Sequence, residues 1–271
     1  MFNGAGTSST MGGVVRAETI INGWSQWNAG MDEKPEIIRP LPGGRSNRSY
    51  LLKSADKYLV LRLNGAETLL PRNNRHAETA IWQAASAAGL APALLYADEQ
   101  RGVLISTYIE DSLPSRPERH GSIIEHALKL IQDCHQLEVA ADDIDYSAHI
   151  QHYWQLIEAR GGRANPNLLR QRSAMQDLLA SLHDKAGRRA LCHHDPVISN
   201  FVGSEERLYL IDWEYAANGL VVMDYAALGV EWGIDDGLLV AKSGIEAASL
   251  ATAKELYTYM CALWLEIKTN P

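Results

Sequence analysis

Several classes of protein are excluded by what this sequence has little of. Only three cysteines, Cys134, Cys192 and Cys261, occur among 271 residues, and none forms a Cys-x-x-Cys pair, so neither a disulfide framework nor a zinc site is expected. The 25 Lys and Arg residues are outnumbered by 33 Asp and Glu residues, and the net charge of −8 argues against a nucleic-acid partner. No run of about 18 apolar residues is present, so no helix is expected to span a membrane.

The first residues lack the pattern of a secretory signal. Residues 1–17 are rich in glycine and serine and have no cationic start followed by an apolar core, which predicts a flexible leader. Together with the odd number of cysteines, this indicates the reducing cytoplasm. Hydrophobic residues make up 46 % of the chain, which is too many for a disordered protein and enough for a large buried core.

Short strand patterns predominate in the first part of the chain, up to Tyr108. The predicted strands are residues 36–41, 49–53, 58–63, 94–97 and 103–106, where apolar runs are bounded by turn residues. One helix is predicted over residues 18–30 from its apolar spacing. A second helix is predicted from Asn73 or Asn74, either of which can cap it, to Ala88, and Gly89 then ends it.

Long helical patterns predominate after this point. The predicted helices are residues 123–137, 153–160, 168–186 and 252–268, and two strands at residues 190–193 and 208–213 are predicted to form a pair. We therefore expect an α+β protein with an N-lobe of residues 18–108, rich in β-structure, and a mainly helical C-lobe of residues 109–271. A cleft between two such lobes is a usual place for a small-molecule site.

The densest group of polar residues lies in Cys192–Asn200 and the following segment Ile211–Tyr215. Asp195, Asn200 and Asp212 offer side-chain oxygens, two of which suit Mg²⁺, while the remaining carboxylate could accept a proton from a substrate hydroxyl. Protein kinases use this layout, with a base Asp, an Asn five residues later and a strand-end Asp. His193 stands two residues before Asp195, as a His does in the kinase loop.

A metal-dependent phosphohydrolase is an alternative for the same segment. His194 and Asp195 could act as an adjacent ligand pair, and such chemistry needs further histidine ligands. The sequence contains His76, His126 and His135, but no arrangement of them is compelling, and the His194-Asp195 pair follows a predicted strand.

The pattern His193-x-Asp195-x-x-x-x-Asn200 resembles the catalytic loop of the aminoglycoside phosphotransferase and choline kinase superfamily. Ile211–Tyr215 resembles the metal-binding segment of choline and ethanolamine kinases, and Asp224 followed by Glu231-Trp232 also resembles their pattern. The resemblance implies a bilobal, protein-kinase-like fold that binds ATP and Mg²⁺. It also implies that Asp195 and His193 are catalytic and that Asn200 and Asp212 hold Mg²⁺.

The resemblance extends to residues that would bind the nucleotide. A turn with Gly43, Gly44 and Ser46 occupies the position of the family's phosphate-covering hairpin, where glycine lets the backbone approach phosphates closely. Arg62 is a single cation in an apolar strand, as in the choline kinase branch, and its forked guanidinium could hold phosphate oxygens. Glu78 would be its ion-pair partner. Tyr108 and Ile109 fit the hinge whose backbone would bind adenine.

The resemblance also implies an acceptor pocket. Tyr215, Glu231 and Trp264 would form it, with aromatic faces and a carboxylate that attract a cation. Choline kinases tend to have two tryptophans spaced by three on the last helix, and Cys261 replaces the first of them here. That departure weakens the case for choline and leaves ethanolamine, thiamine or another alcohol open.

The sequence therefore predicts an ATP- and Mg²⁺-dependent phosphotransferase whose partner is a small, cationic alcohol. Two alternatives stay open. One is an aminoglycoside phosphotransferase, which the net charge of −8 and the pair Asp235-Asp236 permit because an aminoglycoside is a polycation. The other is an ATP-binding pseudo-enzyme without transfer activity.

Overall fold

The structure of the protein, a computed structural model, describes residues 16–27, 30–42, 47–65, 75–159, 164–185 and 187–269. Most of the predicted leader, residues 1–15, lies outside these residues. The same is true of the glycine turn with Gly43, Gly44 and Ser46, and of Asn73 and Asn74.

The N-lobe is built on one antiparallel sheet whose strands follow the order β1-β2-β3-β5-β4. The strands are β1 (Glu36–Pro40), β2 (Arg48–Ser54), β3 (Lys57–Leu63), β4 (Leu94–Asp98) and β5 (Val103–Thr107). Leu59, Leu61 and Leu63 alternate along β3 and pack into one buried cluster with α1 (Ala17–Ile21) and Trp27. Because side chains alternate across a strand, Arg62 faces the other side of the sheet, where it meets α2 (Arg75–Ala87).

The predicted helix over residues 18–30 is interrupted. α1 ends at Ile21, and a short 3₁₀ turn over Trp24–Gln26 follows the break at Asn22 and Gly23. Both residues are poor helix formers, and the apolar spacing used for the prediction continues across them. Ala17, the last residue of the predicted leader, is buried at the start of α1, so it belongs to the N-lobe.

The C-lobe consists mainly of helices around a second buried cluster. They are α3 (Gly121–Cys134), α4 (Tyr146–Ala159), α5 (Pro166–Lys185), α6 (Val221–Glu231), α7 (Asp236–Ser243) and α8 (Ala247–Thr269). The sequence patterns missed α6 because it is buried from Val221 to Gly229 and therefore has no polar face to reveal a helical period. Within the described ranges, no helix combines the length and apolar character needed to cross a membrane.

In the described part of the C-lobe, four short strands form two separate antiparallel pairs. They are β6 (Arg189–Cys192), β7 (Phe201–Gly203), β8 (Leu208–Leu210) and β9 (Ala217–Leu220). The predicted pairing of residues 190–193 with 208–213 is wrong, because β6 pairs with β9 and β8 pairs with β7. Cys192 lies opposite Ala217, and Phe201 lies opposite Leu210. The segments 193–200 and 211–216 therefore run side by side between the two pairs.

Gly203 is required by the geometry of the β7–β8 turn that joins these two segments. Its φ of +131° is a conformation that L side chains rarely adopt, and an added Cβ would overlap the carbonyl oxygen of Arg207. We expect Gly203→Ala to lower the free energy of unfolding by about 2–4 kcal/mol, measured by urea titration. Gly121→Ala is the control, because an added Cβ at this first residue of α3 meets nothing within 4 Å. Equal stability of the two variants would contradict the argument.

Candidate active site

Asp195, Asn200 and Asp212 line one cavity of about 780 Å³. The amide nitrogen of Asn200 donates to the carboxylate Oδ2 and to the carbonyl oxygen of Asp195, both at 2.9 Å. The N–H of Ile211 donates to the carbonyl of Asn200 at 3.0 Å, which ties the two polar segments together. The three oxygen-bearing side chains that the sequence singled out thus converge in space.

The backbone of the first segment is held by Asp224, a completely buried carboxylate on α6. It accepts the N–H groups of His193 at 2.9 Å and His194 at 2.8 Å, and it lies 2.9 Å from Nε2 of His135. Burial by itself would raise the pKa of Asp224, but the hydrogen bond and charge of His135 lower it to about 2. The carboxylate is therefore charged, and it sets the path of the chain into Asp195.

His193 acts on this segment from inside the core. Its side chain is completely buried, its Nε2 lies 3.1 Å from the carbonyl of Ile211, and its ring meets Trp213 edge-on at 4.8 Å. Burial lowers the pKa of His193, so the neutral ring can donate from Nε2 to that carbonyl. The ring of His193 thus joins the two segments, and it is not among the described residues that line the cavity.

His194 has a left-handed backbone, with φ of +64°. Its Nε2 lies 2.8 Å from the hydroxyl of Tyr146, which in turn accepts the N–H of Leu220 at 3.0 Å. The Tyr146 hydrogen is then available to Nε2 of His194. An added Cβ at Gly219 would overlap both the His194 ring and the Tyr146 oxygen, which explains why glycine occupies this position in β9.

Arg62 connects the N-lobe to two of the carboxylates that line the cavity. Its guanidinium lies 2.6 Å from Glu78 Oε1, as predicted, and also 3.2 Å from Asp212 Oδ1 and 3.8 Å from Glu214 Oε2. Asn47 donates to Glu214 at 3.1 Å and to Asp212 at 3.4 Å. Burial would lower the pKa of Arg62, but the three carboxylates raise it, so the guanidinium keeps its charge between the lobes.

Negative charge is concentrated around Asp212. Burial, followed by the charge of Asp212, raises the pKa of Asp195 to about 7 and that of Glu214 to about 7. Asp212 has a φ of +65°, a strained conformation of the kind found at functional sites. Because crowded carboxylate and amide oxygens suit Mg²⁺, these residues fit the divalent cation that the sequence predicts.

The predicted hinge is only partly available to a nucleotide. Tyr108 and Ile109 are half-buried and follow β5 directly, as expected. The N–H of Tyr108 donates to the carbonyl of Tyr58 at 3.1 Å, so this N–H extends the sheet and is committed within the N-lobe.

The predicted acceptor residues Tyr215, Glu231 and Trp264 all line the same cavity as Asp195. The hydroxyl of Tyr257 donates to Glu231 Oε1 at 3.3 Å, and Cys261 also lines the wall. The other lining residues are Ile144, Tyr146, His149, Tyr153, His194, Val197, Ser199, Asn200, Asp212, Glu214, Met223, Met260 and Leu265. The wall thus combines aromatic faces with carboxylates.

The histidines of the phosphohydrolase alternative do not converge on His194 and Asp195. His76 lies 3.2 Å from Glu99, and His126 lies 2.8 Å from the carbonyl of Glu205. His135 is occupied by Asp224. Among the residues that the structure describes, these three histidines therefore supply no ligands to His194 and Asp195.

Sequence reasoning missed several residues that shape the site. Asn47 directly follows the glycine turn, and Glu214 stands two residues after Asp212. These positions in the sequence could have indicated that both residues belong to the site. Tyr146 and His149 on α4 had no such signal, because their places in the cavity depend on how α4 packs in the C-lobe.

Known proteins resemble this chain in sequence pattern and in fold. The APH model, described as a phosphotransferase enzyme family, matches residues 37–259. The choline kinase LicA from Streptococcus pneumoniae is 25 % identical, with a TM-score of 0.70 over 86 % of each chain. LicA in complex with AMP is 25 % identical, with a TM-score of 0.73 over 93 % of this chain and 90 % of that one. A choline/ethanolamine kinase family protein from Mesorhizobium loti is 22 % identical, with a TM-score of 0.68 over 91 % of this chain and 84 % of that one.

No curated protein sequence matches this chain. The family match and the solved structures confirm the predicted resemblance and the α+β, kinase-like fold.

The raised pKa of Asp195 predicts a pH-dependent effect of Asp195→Asn on stability. A carboxyl whose pKa rises on folding, here to about 7, stabilises the folded state at low pH and loses that contribution as pH rises through the folded value. We expect Asp195→Asn to gain about 2–4 kcal/mol over the unsubstituted protein between about pH 5 and about pH 8, without divalent cation. Urea titrations at each pH measure this difference, and Mg²⁺ should reduce it.

Burial also lowers the pKa of His149, to about 4, so this histidine makes the stability of every variant depend on pH. The difference between Asp195→Asn and the unsubstituted protein removes that shared contribution. Asp177→Asn, on the exposed side of α5, is the control and should show no such trend. A stability difference independent of pH would contradict the electrostatic description of the site.

Proposed function

Because the chain belongs to the phosphotransferase enzyme family, we propose that it transfers the γ-phosphoryl group of ATP to a hydroxyl group of a small cationic alcohol. Choline, ethanolamine and thiamine exemplify this class. The observation that carries the proposal is the meeting of Asp195, Asn200 and Asp212 in one cavity whose other walls are aromatic and acidic.

Asp195 is the proposed base. Its carboxylate is oriented by the Asn200 amide at 2.9 Å, and its raised pKa, about 7, suits a group that takes a proton at neutral pH. The acceptor oxygen forms a bond to the γ-phosphorus as the bond to the leaving ADP oxygen breaks, and the hydroxyl proton passes to Asp195. Positioning and charge neutralisation supply most of the rate in such transfers.

Asn200 and Asp212 are the proposed ligands of Mg²⁺. The donation from Asn200 nitrogen to Asp195 leaves the side-chain oxygen of Asn200 as its ligand atom. When bound, Mg²⁺ would neutralise charge on the ATP phosphates.

Arg62 is the proposed contact to the phosphate tail. It is 5 % exposed, is oriented by Glu78 and already faces Asp212, so it lies on the side of the cavity where phosphates would meet Asn200 and Asp212. The similarity to LicA, whose structure contains AMP, supports a nucleotide between the lobes.

The charge of the cavity supports a cationic acceptor. Asp195, Asp212, Glu214 and Glu231 line it, whereas no Lys or Arg is among the lining residues in the described part of the chain. Tyr215 and Trp264 add aromatic faces, which attract cations.

Asp235 and Asp236, the acidic pair that permitted an aminoglycoside as the acceptor, both have structural roles. Asp235 caps α7 by accepting the N–H of Leu238 at 3.1 Å, and Asp236 lies 2.7 Å from Lys254. These two carboxylates are therefore occupied, and we propose an acceptor with fewer positive charges than an aminoglycoside.

Asp195→Asn tests the base. We expect kcat for transfer to an alcohol to fall by about 100-fold or more, while the affinity for Mg²⁺–ATP stays within about threefold because the proposed ligands Asn200 and Asp212 remain. Coupled detection of ADP and calorimetry of nucleotide binding measure the two quantities. The exposed Asp177→Asn is the matched control. Activity that survives within about tenfold would contradict the assignment of the base, and a chain without transfer to any acceptor would instead be the pseudo-enzyme.

Arg62→Ala tests the nucleotide contact. Removal of a guanidinium that holds phosphate oxygens should raise KM for ATP by about tenfold or more and change KM for the alcohol less. Arg101→Ala, a half-exposed arginine of the same lobe paired with Asp98, is the control. Unchanged KM and kcat for ATP in Arg62→Ala would remove Arg62 from the site.

A further inference from the structure

His194 combines a strained backbone with a side chain that connects two elements of the cavity wall. Its φ of +64° lies in the left-handed region, which is unfavourable for residues that have a Cβ. Its N–H donates to Asp224 at 2.8 Å, and its side chain lines the cavity beside Asp195. Because strained residues concentrate at functional sites, the strain of His194 calls for a functional explanation.

The ring of His194 is held by Tyr146, the first residue of α4. Its Nε2 and the Tyr146 hydroxyl lie 2.8 Å apart, and the same hydroxyl accepts the N–H of Leu220 at 3.0 Å. Burial lowers the pKa of His194, so the ring is neutral and Nε2 accepts the hydrogen of the Tyr146 hydroxyl. Gly219 leaves the room that this contact needs, because an added Cβ there would overlap both side chains.

Tyr146 begins the face of α4 that forms one side of the cavity. His149 and Tyr153 follow three and seven residues later in α4, which places them on the same face of the helix, and all three residues line the cavity. The rings of His149 and Tyr153 meet edge-on at 4.6 Å. The bond from Tyr146 to His194 therefore attaches this aromatic face to the residue that directly precedes Asp195.

We propose that Tyr146 and His194 are positioning residues, which set the distance between the aromatic face of α4 and Asp195 and thereby place the acceptor hydroxyl for transfer. The inference rests on the proposed function, because it concerns the alcohol that Asp195 deprotonates. Asp195 itself is oriented by Asn200 at 2.9 Å, so the pair controls the placement of the alcohol rather than that of the base. A misplacement of about 1 Å can cost a reaction about 100-fold in rate.

Tyr146→Phe tests the pair, because it removes the hydroxyl and keeps the ring. We expect kcat/KM for the alcohol to fall by about tenfold or more, since the acceptor is placed less accurately. KM for Mg²⁺–ATP should stay within about twofold, because the nucleotide contacts remain. Detection of ADP with choline, ethanolamine and thiamine as probe alcohols, each at varied concentration, measures both quantities.

Tyr259→Phe is the matched control. Tyr259 is also buried in the C-lobe, where its hydroxyl accepts the indole N–H of Trp154 at 3.0 Å and donates to the carbonyl of Leu168 at 3.4 Å. It is not among the described residues that line the cavity. Both variants lose a buried, hydrogen-bonded hydroxyl, so thermal unfolding should show a similar loss of stability. Only Tyr146→Phe should lose activity towards the alcohol.

His194→Asn tests whether the two residues act through each other. Asparagine tolerates the left-handed conformation, and the substitution removes the ring that accepts the hydrogen of Tyr146. It should lower kcat/KM for the alcohol by about the same factor as Tyr146→Phe. The double variant should be no worse than either single variant, because residues in contact do not have additive effects.

Three results would overturn the inference while the proposed function stands. They are a kcat/KM for the alcohol that Tyr146→Phe leaves within about twofold, an equal loss in Tyr259→Phe, and additive losses in the double variant. If the unsubstituted protein releases no ADP with any of the three alcohols, the proposed function fails, and this inference fails with it.

Discussion

The site depends on one buried carboxylate. Asp224 gathers the N–H groups of His193 and His194 and the ring of His135, and α6 holds it in the C-lobe core. A carboxylate with several hydrogen bonds is stable in its charged form even when buried. The chain between β6 and β7 is thereby attached to α6, which is buried from Val221 to Gly229. This attachment positions Asp195. His193 extends the same support to the second segment through Ile211.

The second constraint is the repulsion between carboxylates around Asp212. Arg62 faces three carboxylates, Glu78, Asp212 and Glu214, and one guanidinium cannot neutralise them all. Burial, together with this excess of negative charge, raises the pKa of Asp195 and of Glu214. Surplus negative charge and carboxylate oxygens suit the proposed divalent cation and the proposed cationic alcohol, and Arg62 supplies the positive charge for the proposed phosphate contact.

The third feature is the aromatic wall of the cavity in which we propose that the acceptor binds. α4 contributes His149 and Tyr153, the turn after Asp212 contributes Tyr215, and α8 contributes Tyr257 and Trp264. Since three separate elements build the wall, substitutions there can change the acceptor without disturbing Asp195, Asn200 and Asp212. Cys261, where the resemblance to choline kinases implies a tryptophan, lies in this wall, and His149 is a polar position within it.

The sequence by itself determined the order of elements in the N-lobe and the identity of the polar triad, because alternating strands and the spacing of Asp195 and Asn200 are local patterns. It also predicted the ion pair of Arg62 with Glu78. It could not reveal α6, whose burial on all sides removes the helical period, nor the pairing of β6 with β9, which joins residues far apart in the chain. Only the tertiary structure decided that the ring of His193 is buried against Ile211 and that His149 lies in the wall of the cavity, because burial and partners are properties of packed surfaces rather than of spacing along the chain.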